Sequence, residues 1–443
     1  MLTWSVSLLI RSDMSSTIPL WRRPAVSRLL LIALLAEIGY AVLNISTMPV
    51  YLRDDQHIDE SWVGLVLAAF LLSEAAFKLW TGHLADRFGH KQFLVYGPLI
   101  TVFTAIFTRF IPVSAPEQER VVSFVLLRVL DGLGAAMLWP AAFAAMGSAV
   151  SDEERQPAMS LLNSCYLLGI ALALPIGGAI NDLFDARSAS LWFAAIVFAF
   201  VSLAAHRFVP TVSKDTIVLK TEMAVGELIG MAKRIPAYLA LAVLTFIGVG
   251  FPMAIIKLFA LDQLDMSESA FGLLVLPSAL AMALLSSPMS KLGAKMGNHR
   301  AVHVGLGLCF IGVSVIASGG ILPPMREPWV LAAGGLPLGV GFLLTIPAWM
   351  TSVSEIDPSR RAANIGAVMA AQGIGAIIGA PLGTASYKHL QVVGKAWNLG
   401  ADFGRYSPFM GCAIFIGAGW LLSLRVLHTH DPIVKSPSNA IPK

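Results

Sequence analysis

The 443-residue sequence contains few charged residues. Lys, Arg, Asp and Glu make up 13% of the chain and hydrophobic residues make up 56%, and the mean hydropathy is +0.73. A soluble globular domain carries about 25% charged residues, so this composition excludes that class and indicates a protein embedded in a lipid bilayer. The formal net charge is +4. Because the basic residues border apolar segments and form no single patch, we expect no nucleic-acid partner.

Cysteine is also scarce, and the motifs of several catalytic classes are missing. Cys165, Cys309 and Cys412 all fall within apolar segments and are expected to be buried thiols. The sequence has no Gly-x-x-x-x-Gly-Lys-Ser/Thr phosphate loop and so gives no sign of an ATP-driven pump. His428 and His430 are weak support for a metal site. We expect no cofactor, no bound metal and no enzymatic activity.

Long apolar runs recur along the whole chain. Each is close to the roughly 20 residues that a bilayer-crossing helix requires. The sequence predicts an all-α membrane protein with twelve transmembrane helices. Their expected ranges are 27–50, 61–82, 93–112, 121–146, 157–181, 189–209, 236–261, 268–290, 300–321, 328–351, 362–386 and 406–427.

A polar stretch between the sixth and seventh spans divides the helices into two sets of six. The predicted organisation is an N-terminal segment 1–26, a bundle 27–209, a linker 210–235, a second bundle 236–427 and a tail 428–443. Lys and Arg are concentrated in the segments on the same side as both termini. This asymmetry predicts that the termini and the linker are cytoplasmic. A single chain contains both halves, so we expect a monomer.

The two halves repeat each other with a period of about 207 residues. The pattern Glu-Ser-x-x-Gly-Leu begins at Glu60 and again at Glu268, and Pro175 in the fifth span corresponds to Pro381 in the eleventh. Such a repeat, held from the second span to the eleventh, predicts two pseudo-symmetric six-helix bundles.

The turn between the second and third spans reads Gly-His-Leu-Ala-Asp-Arg-Phe-Gly-His-Lys. Its key positions are Gly82, Asp86, Arg87, Gly89 and Lys91, and Gly89 is suited to the positive φ that reverses the chain. The turn resembles the signature loop between helices 2 and 3 of the major facilitator superfamily. The resemblance implies a transporter that works by alternating access, in which Asp86 faces the N-terminus of helix 11 and locks the cytoplasmic gate. The alternative is that Asp86 only caps the turn.

The fifth span carries a run of small residues around a proline, namely Gly169, Ala173, Pro175, Gly177 and Gly178. The spacing of four places three of them on one smooth helix face, and the proline bends the helix. This run resembles the Pro-centred motif of the antiporter branch of the superfamily, although Leu174 stands where a glycine is usual. Ordinary small-residue packing is the alternative.

Ionisable residues within the first and fourth spans are candidates for proton coupling. Arg128 and Asp131 belong to an Arg-Val-Leu-Asp-Gly-Leu-Gly segment that resembles the family's Arg-x-x-Gln-Gly-x-Gly motif, which is often tied to proton transfer. Asp131 alternatively only neutralises Arg128. Glu37 shares one helix face with Tyr40 and Asn44. The family's central cavity is lined by helices 1, 4, 7 and 10, so we expect Glu37 to point towards Arg128 or Asp131 and to carry the proton.

Several other polar or aromatic residues fall within the spans. Glu74 and Lys78 are spaced for an ion pair that we expect to be structural, with a substrate site as the alternative. Lys257 is expected either to snorkel outward or, facing the cavity, to favour an anionic substrate. Trp349 either lines the cavity or packs in the helix bundle. The candidates for the substrate cavity are Tyr40, Asn44, Asn163, Tyr166, Lys257, Trp349 and Gln372.

The function that the resemblance implies is secondary transport across a bacterial inner membrane. We expect a proton-coupled antiporter that exports a small, amphipathic or drug-like compound, with a small molecule, protons and the lipid bilayer as its partners. One alternative is a proton symporter or facilitator that imports a metabolite. Another is a sensor or enzyme on a degenerate transporter fold.

Overall fold

The computed structural model describes residues 19–151, 154–210, 235–356, 361–397 and 401–427. These residues are helical and include no β-strand. The helices are α1 (Pro24–Asp55), α2 (Glu60–Phe88), α3 (His90–Arg109), α4 (Glu117–Ser148), α5 (Arg155–Phe184), α6 (Ser188–Phe208), α7 in two pieces (Pro236–Met253 and Ile256–Gln263), α8 (Glu268–Met296), α9 (Asn298–Ala317), α10 (Pro328–Ile356), α11 (Arg361–Ala396) and α12 (Ser407–Val426). Most of the predicted N-terminal segment, linker and tail lies outside the described residues.

The twelve predicted helices are confirmed, and several are longer than expected. Eleven of the described helices are long and apolar enough to cross a membrane. The remaining one, α8, has 29 residues and is therefore about 43 Å long, but only Glu268–Met282 forms an apolar stretch. Its last turns carry Lys291 and Lys295, which lowers the hydropathy of that half.

Two helices depart from regular α-helical geometry at mid-sequence. Helix α1 contains π-helical turns at Val42–Thr47 and Tyr51–Asp55, a feature that is frequent at functional sites. Helix α7 breaks between Met253 and Ile256, so the prediction of one continuous span 236–261 is wrong. Pro252 lacks an amide hydrogen and crowds the preceding turn, which explains why the helix ends one residue later.

The two bundles meet at one end of the molecule, which we call the closed face. It contains the loops between α1 and α2 and between α7 and α8. Here α2 packs on α11, with Gly64 against the backbone of Ala380 and Pro381, and α8 packs on α5, with Gly272 against the backbone of Pro175. Since Gly64 and Gly272 correspond in the repeat, as do Pro381 and Pro175, the two contacts are copies related by the pseudo-two-fold axis.

The opposite end, which we call the open face, contains the α2–α3 and α8–α9 turns. Gly89 has a φ of +98° and Gly297 a φ of +86°, so the positive φ expected at Gly89 is confirmed. Arg23 and Glu154 form an ion pair of 2.7 Å within the first bundle, and the Arg23 hydrogen bond holds the pKa of Glu154 below its usual value. Within the second bundle, Asn298 of α9 donates to Glu355 of α10 at 3.4 Å.

The close approach at Gly64 generates a prediction about the closed face. A side chain at this position meets the α11 backbone, so Gly64→Leu should push the two bundles apart there. Spin labels on cysteines placed at Ser114 and Glu327, both exposed at the closed face, should report a longer distance in this variant. The control is Gly366→Leu, because Gly366 has open space around it. An unchanged distance distribution in Gly64→Leu would contradict the prediction.

Candidate functional site

Helix α4 buries a complete ion pair inside the first bundle. Arg128 Nη1 lies 2.8 Å from Asp131 Oδ2, and both side chains are fully buried. Arg128 also donates to Asn44 Oδ1 (3.2 Å) and to Thr108 Oγ1 (3.3 Å), while Asp131 Oδ1 accepts from Thr104 (3.2 Å). These polar neighbours offset part of the cost of burying the charge pair, and Arg128 Nε has no hydrogen-bond partner among the described residues. Asp131 therefore neutralises Arg128, and a role for either residue in proton transfer stays a prediction.

Helix α1 extends this polar network towards a cavity. Asn44 lies in the first π-helical turn, and its Nδ2 donates to the Tyr40 carbonyl oxygen (3.1 Å) and to Asp131 Oδ2 (3.4 Å). The Thr101 hydroxyl of α3 donates to the Tyr40 hydroxyl (3.1 Å). Tyr40 and Asn44 thus lie between the ion pair and the pocket described next.

Glu37 lies in a small pocket and is only 5% exposed. The pocket has a volume of about 100 Å³, and its walls include Glu37, Tyr40, Asn44, Glu74, Trp139, Tyr166 and Met253. Among the described residues, Glu37 has no hydrogen bond or ion pair with Arg128 or Asp131. The expectation that it points towards them is wrong, because Asn44 takes the hydrogen bonds on that side. The second acid of the pocket, Glu74, pairs with Lys78 at 2.6 Å, as its spacing predicted.

The small-residue run of α5 packs against both bundles. Gly169 lies against the Glu37 side chain and Gly177 against Ser46, both on α1. Ala173, between them, is fully buried. Gly178 lies against the backbone of Glu268 on α8. The run is therefore a close-packing surface that sets the position of Glu37, and its link to antiport stays a prediction.

A buried cluster at the closed face joins the bundles, and Lys257 is at its centre. The Lys257 ammonium donates to the Ser46 carbonyl oxygen, to Ser46 Oγ at 3.0 Å and to Glu268 Oε2 at 2.5 Å. Glu268 also accepts from Asn181 (2.7 Å) and Arg187 (2.8 Å). We call these five residues the lysine lock. Lys257 is 1% exposed, so both expectations for it, outward snorkelling and a free cavity position, are wrong. The break in α7 and the acid on α8 account for its placement.

Further ion pairs reinforce the closed face. Arg53 on α1 pairs with Asp262 on α7, and Lys388 on α11 pairs with Asp59, which caps the start of α2 through Ser61. Burial alone would raise the pKa of Asp59, but the hydrogen bonds from Lys388 and Ser61 outweigh it and hold the pKa below its usual value. The contribution of the ionised Asp59 carboxylate to the free energy of unfolding is therefore present at neutral pH. It is lost only as the pH falls through that lowered pKa.

Sequence reasoning missed these cross-bundle partners, although one signal pointed to them. The duplicated Glu-Ser motif places Glu60 and Glu268 at the N-termini of equivalent helices, and both helices begin at the closed face. Taken alone, the motif indicates only the repeat. Nothing in it identifies the basic residues that come from distant helices.

The remaining predicted residues do not form one cavity. Tyr166 packs edge-on against Trp139 with ring centroids 5.0 Å apart, whereas Asn163 is exposed. Trp349 is fully buried in the core of the second bundle, so its expected cavity position is wrong and the packing alternative holds. Gln372 is buried, and its Nε2 has no hydrogen-bond partner among the described residues.

The gating turn is described only in part. A Cβ added to Gly82 would lie 3.6 Å from the Cβ of Pro140. The Arg87 guanidinium lies over Phe88, 5.3 Å from its ring centroid, and Lys91 is partly buried in the first turn of α3. The Asp86 side chain lies outside the described part of the chain, as do His428 and His430, so the latch stays a prediction.

Known proteins share both the sequence pattern and the architecture. The family model described as Major Facilitator Superfamily matches residues 29–380 and 238–442. A multi-drug resistance efflux pump, PmrA of Streptococcus pneumoniae, is 27% identical over 250 residues, which are 55% of this chain and 60% of that protein. Multidrug resistance protein 2 of Bacillus subtilis is 24% identical over 299 residues, 65% of this chain and 71% of that protein. The chain thus spans 60% of the length of PmrA.

A solved structure shows the same fold. The crystal structure of the nucleoside transporter NupG superposes with a TM-score of 0.74 at 11% identity and covers 91% of this chain and 100% of that one. The fold and the family are those of membrane transporters and not of enzymes. The duplicated six-helix bundles and a family match over most of the chain lead to one conclusion: this protein belongs to the major facilitator superfamily.

Proposed function

We propose that this transporter is a proton-coupled antiporter that exports a small, apolar or amphipathic compound. The observation that carries the proposal is the placement of Glu37, a nearly buried acid in the pocket between helices of the first bundle and Met253 of the second. Among the described residues no hydrogen-bond donor contacts its carboxyl group. Burying an ionised carboxylate without donors is costly, so the site favours a bound proton whenever the pocket is closed to water.

The coupling route follows the contacts of Glu37. Its side chain packs on Gly169 of α5, and the same helix face reaches Ser46 at Gly177, where the lysine lock is attached. On the other side, Tyr40 and Asn44 connect the pocket to the Arg128–Asp131 pair. A change in the charge of Glu37 therefore acts on the helices that hold the closed face together.

Alternating access requires the two faces to exchange roles. In the described conformation the closed face is joined by the lysine lock and two further ion pairs. We propose that this face is the outer one, that both termini are cytoplasmic in a bacterial inner membrane, and that the chain works as a monomer. In the opposite conformation Asp86 would approach the N-terminus of α11, where a carboxylate is favoured by the helix dipole.

Export is supported by two of the relatives, which are named for multidrug resistance. Everted vesicles test the direction directly. A compound from an amphipathic panel should cause proton release from acidified everted vesicles that contain the wild-type protein. Compound-driven proton entry into whole cells would instead favour a symporter that imports a metabolite. If a folded protein shows neither proton release from vesicles nor proton entry into cells, a sensor or an enzyme would be favoured.

Removing the charge of Glu37 should separate coupling from binding. Glu37→Gln should abolish exchange driven by a pH gradient but retain counterflow of the compound, because the amide keeps the shape of the side chain and cannot release a proton. The matched control is Glu74→Gln in the same pocket, whose carboxylate is already paired with Lys78. Unchanged pH dependence in Glu37→Gln, or loss of coupling only in Glu74→Gln, would refute the role of Glu37.

The proposed latch predicts a different defect. Asp86→Asn should collapse transport while the protein stays folded in the membrane, since the neutral amide loses the attraction of a helix N-terminus. Lys295→Gln provides the control, because Lys295 lies in the equivalent turn of the second half, where Ala294 replaces the acid. Full transport by the Asp86 variant, measured at matched expression, would leave only the capping role.

A further inference from the structure

The second bundle contains an apolar cavity that the coupling mechanism does not use. It has a volume of about 230 Å³ and lies among α7, α8, α9, α10 and α12. Its walls include Leu274, Met282, Ile316, Leu338, Phe342 and Phe409. Helix α10 contributes Gly335, around which an added Cβ would meet no atom within 4 Å, so this glycine opens onto empty space.

The chemistry of the walls defines what fits. Within the described part of the chain, no charged side chain lines the cavity, and the polar side chains that line it are Ser278 and Cys412. A charged group placed here would lose its hydration without gaining a partner. An apolar cavity of about 150 Å³ stays dry and binds benzene, so this larger one accepts a more extended ring system. Met282 adds a flexible side chain that adapts to different shapes.

The cavity adjoins the elements that control the conformation. Pro252 and Ile256, on either side of the α7 break, line it, whereas Met253 between them lines the Glu37 pocket. The residue after Ile256 is Lys257, the centre of the lysine lock. A ligand in this cavity therefore contacts the segment that connects the acid pocket with the closed face.

We propose that this cavity binds the uncharged, apolar ring portion of the exported compound, so that the second bundle holds the compound while the first holds the proton. This inference rests on the proposed function for the identity of the ligand as cargo. The occupant is an aromatic or branched alkyl group without formal charge, and any charged part of the same compound stays outside the cavity.

Binding of two matched probes tests the assignment. N-phenyl-1-naphthylamine is uncharged, and 8-anilino-1-naphthalenesulfonate has the same rings with an added sulfonate. Full-length protein in lipid nanodiscs, corrected for empty nanodiscs, should bind the uncharged probe and bind the sulfonate at least tenfold more weakly. Gly335→Leu adds a side chain whose Cβ meets no atom within 4 Å, so it occupies part of the cavity. It should weaken binding of the uncharged probe about tenfold, a loss of ~1.4 kcal/mol. Gly366→Leu, at another open glycine on α11, should bind like the wild type.

Each outcome decides the proposal. Equal binding of the two probes, or unchanged binding in Gly335→Leu with a wild-type elution profile, would overturn it, and so would native mass spectrometry that finds a phospholipid retained by the wild type and absent from Gly335→Leu. A wild type that binds the probe as expected but exports no compound from everted vesicles would remove the exporter and keep the cavity assignment. Export by the wild type together with unchanged probe binding in Gly335→Leu would remove the cavity assignment and keep the exporter.

Discussion

The structure depends on a buried ion pair that joins its two halves. Lys257 and Glu268 both belong to the second bundle, but the Lys257 ammonium also binds Ser46 of the first, and Glu268 accepts from Asn181 and Arg187 of the first. Removing one partner of a buried pair costs about 3–5 kcal/mol, because the other charge is left uncompensated. The lock therefore holds the closed face while all its members are present, and it opens only if water or new partners replace them. Alternating access requires an element with two discrete states, and we propose that the lysine lock is that element.

The internal repeat explains why the closed face has two similar lines of contact between the bundles. We call them seams: α2 packs on α11 at one, and α8 packs on α5 at the other. Gly64 on α2 and Gly272 on α8 each allow a backbone contact with the proline-containing helix of the other bundle. The charges added to the two seams differ, since Lys388 pairs with Asp59 at one and Lys257 with Glu268 at the other. The duplicated backbone thus provides two equivalent close contacts, and the buried lysine lock lies beside the α5–α8 contact.

Much of the fold was predictable because lipid leaves the backbone few options. Each span must satisfy its own backbone hydrogen bonds, so the length of the apolar runs alone predicts twelve helices. The repeat predicts which helix of the first bundle corresponds to which helix of the second. The positive φ of Gly89 followed from its position in a tight turn. The break in α7 was not predicted, although Pro252 marks its place, because prolines also occur inside the continuous helices α3, α4 and α5.

The candidate site was harder to predict than the fold. Periodicity grouped Glu37 with Tyr40 and Asn44 on one face, but it could not show that Asn44 and not Glu37 contacts Arg128. Residue type makes Lys257 and Trp349 candidates for the cavity and leaves the alternatives open, whereas distant partners and packing decide their positions. The hydrogen bonds that cross between the bundles join residues 81 to 329 positions apart, and no local pattern encodes them.

The central claim is that the closed face must open during each transport cycle. Asp182 of α5 accepts a hydrogen bond from the backbone of Ser269 at the start of α8 (3.0 Å), so positions 182 and 269 are neighbours across the contact between α5 and α8. A short bifunctional thiol reagent should stop compound-driven proton release from everted vesicles that contain the double variant with cysteines at these two positions, while a monofunctional reagent of the same chemistry should not. Undiminished transport by the fully cross-linked protein would contradict the account.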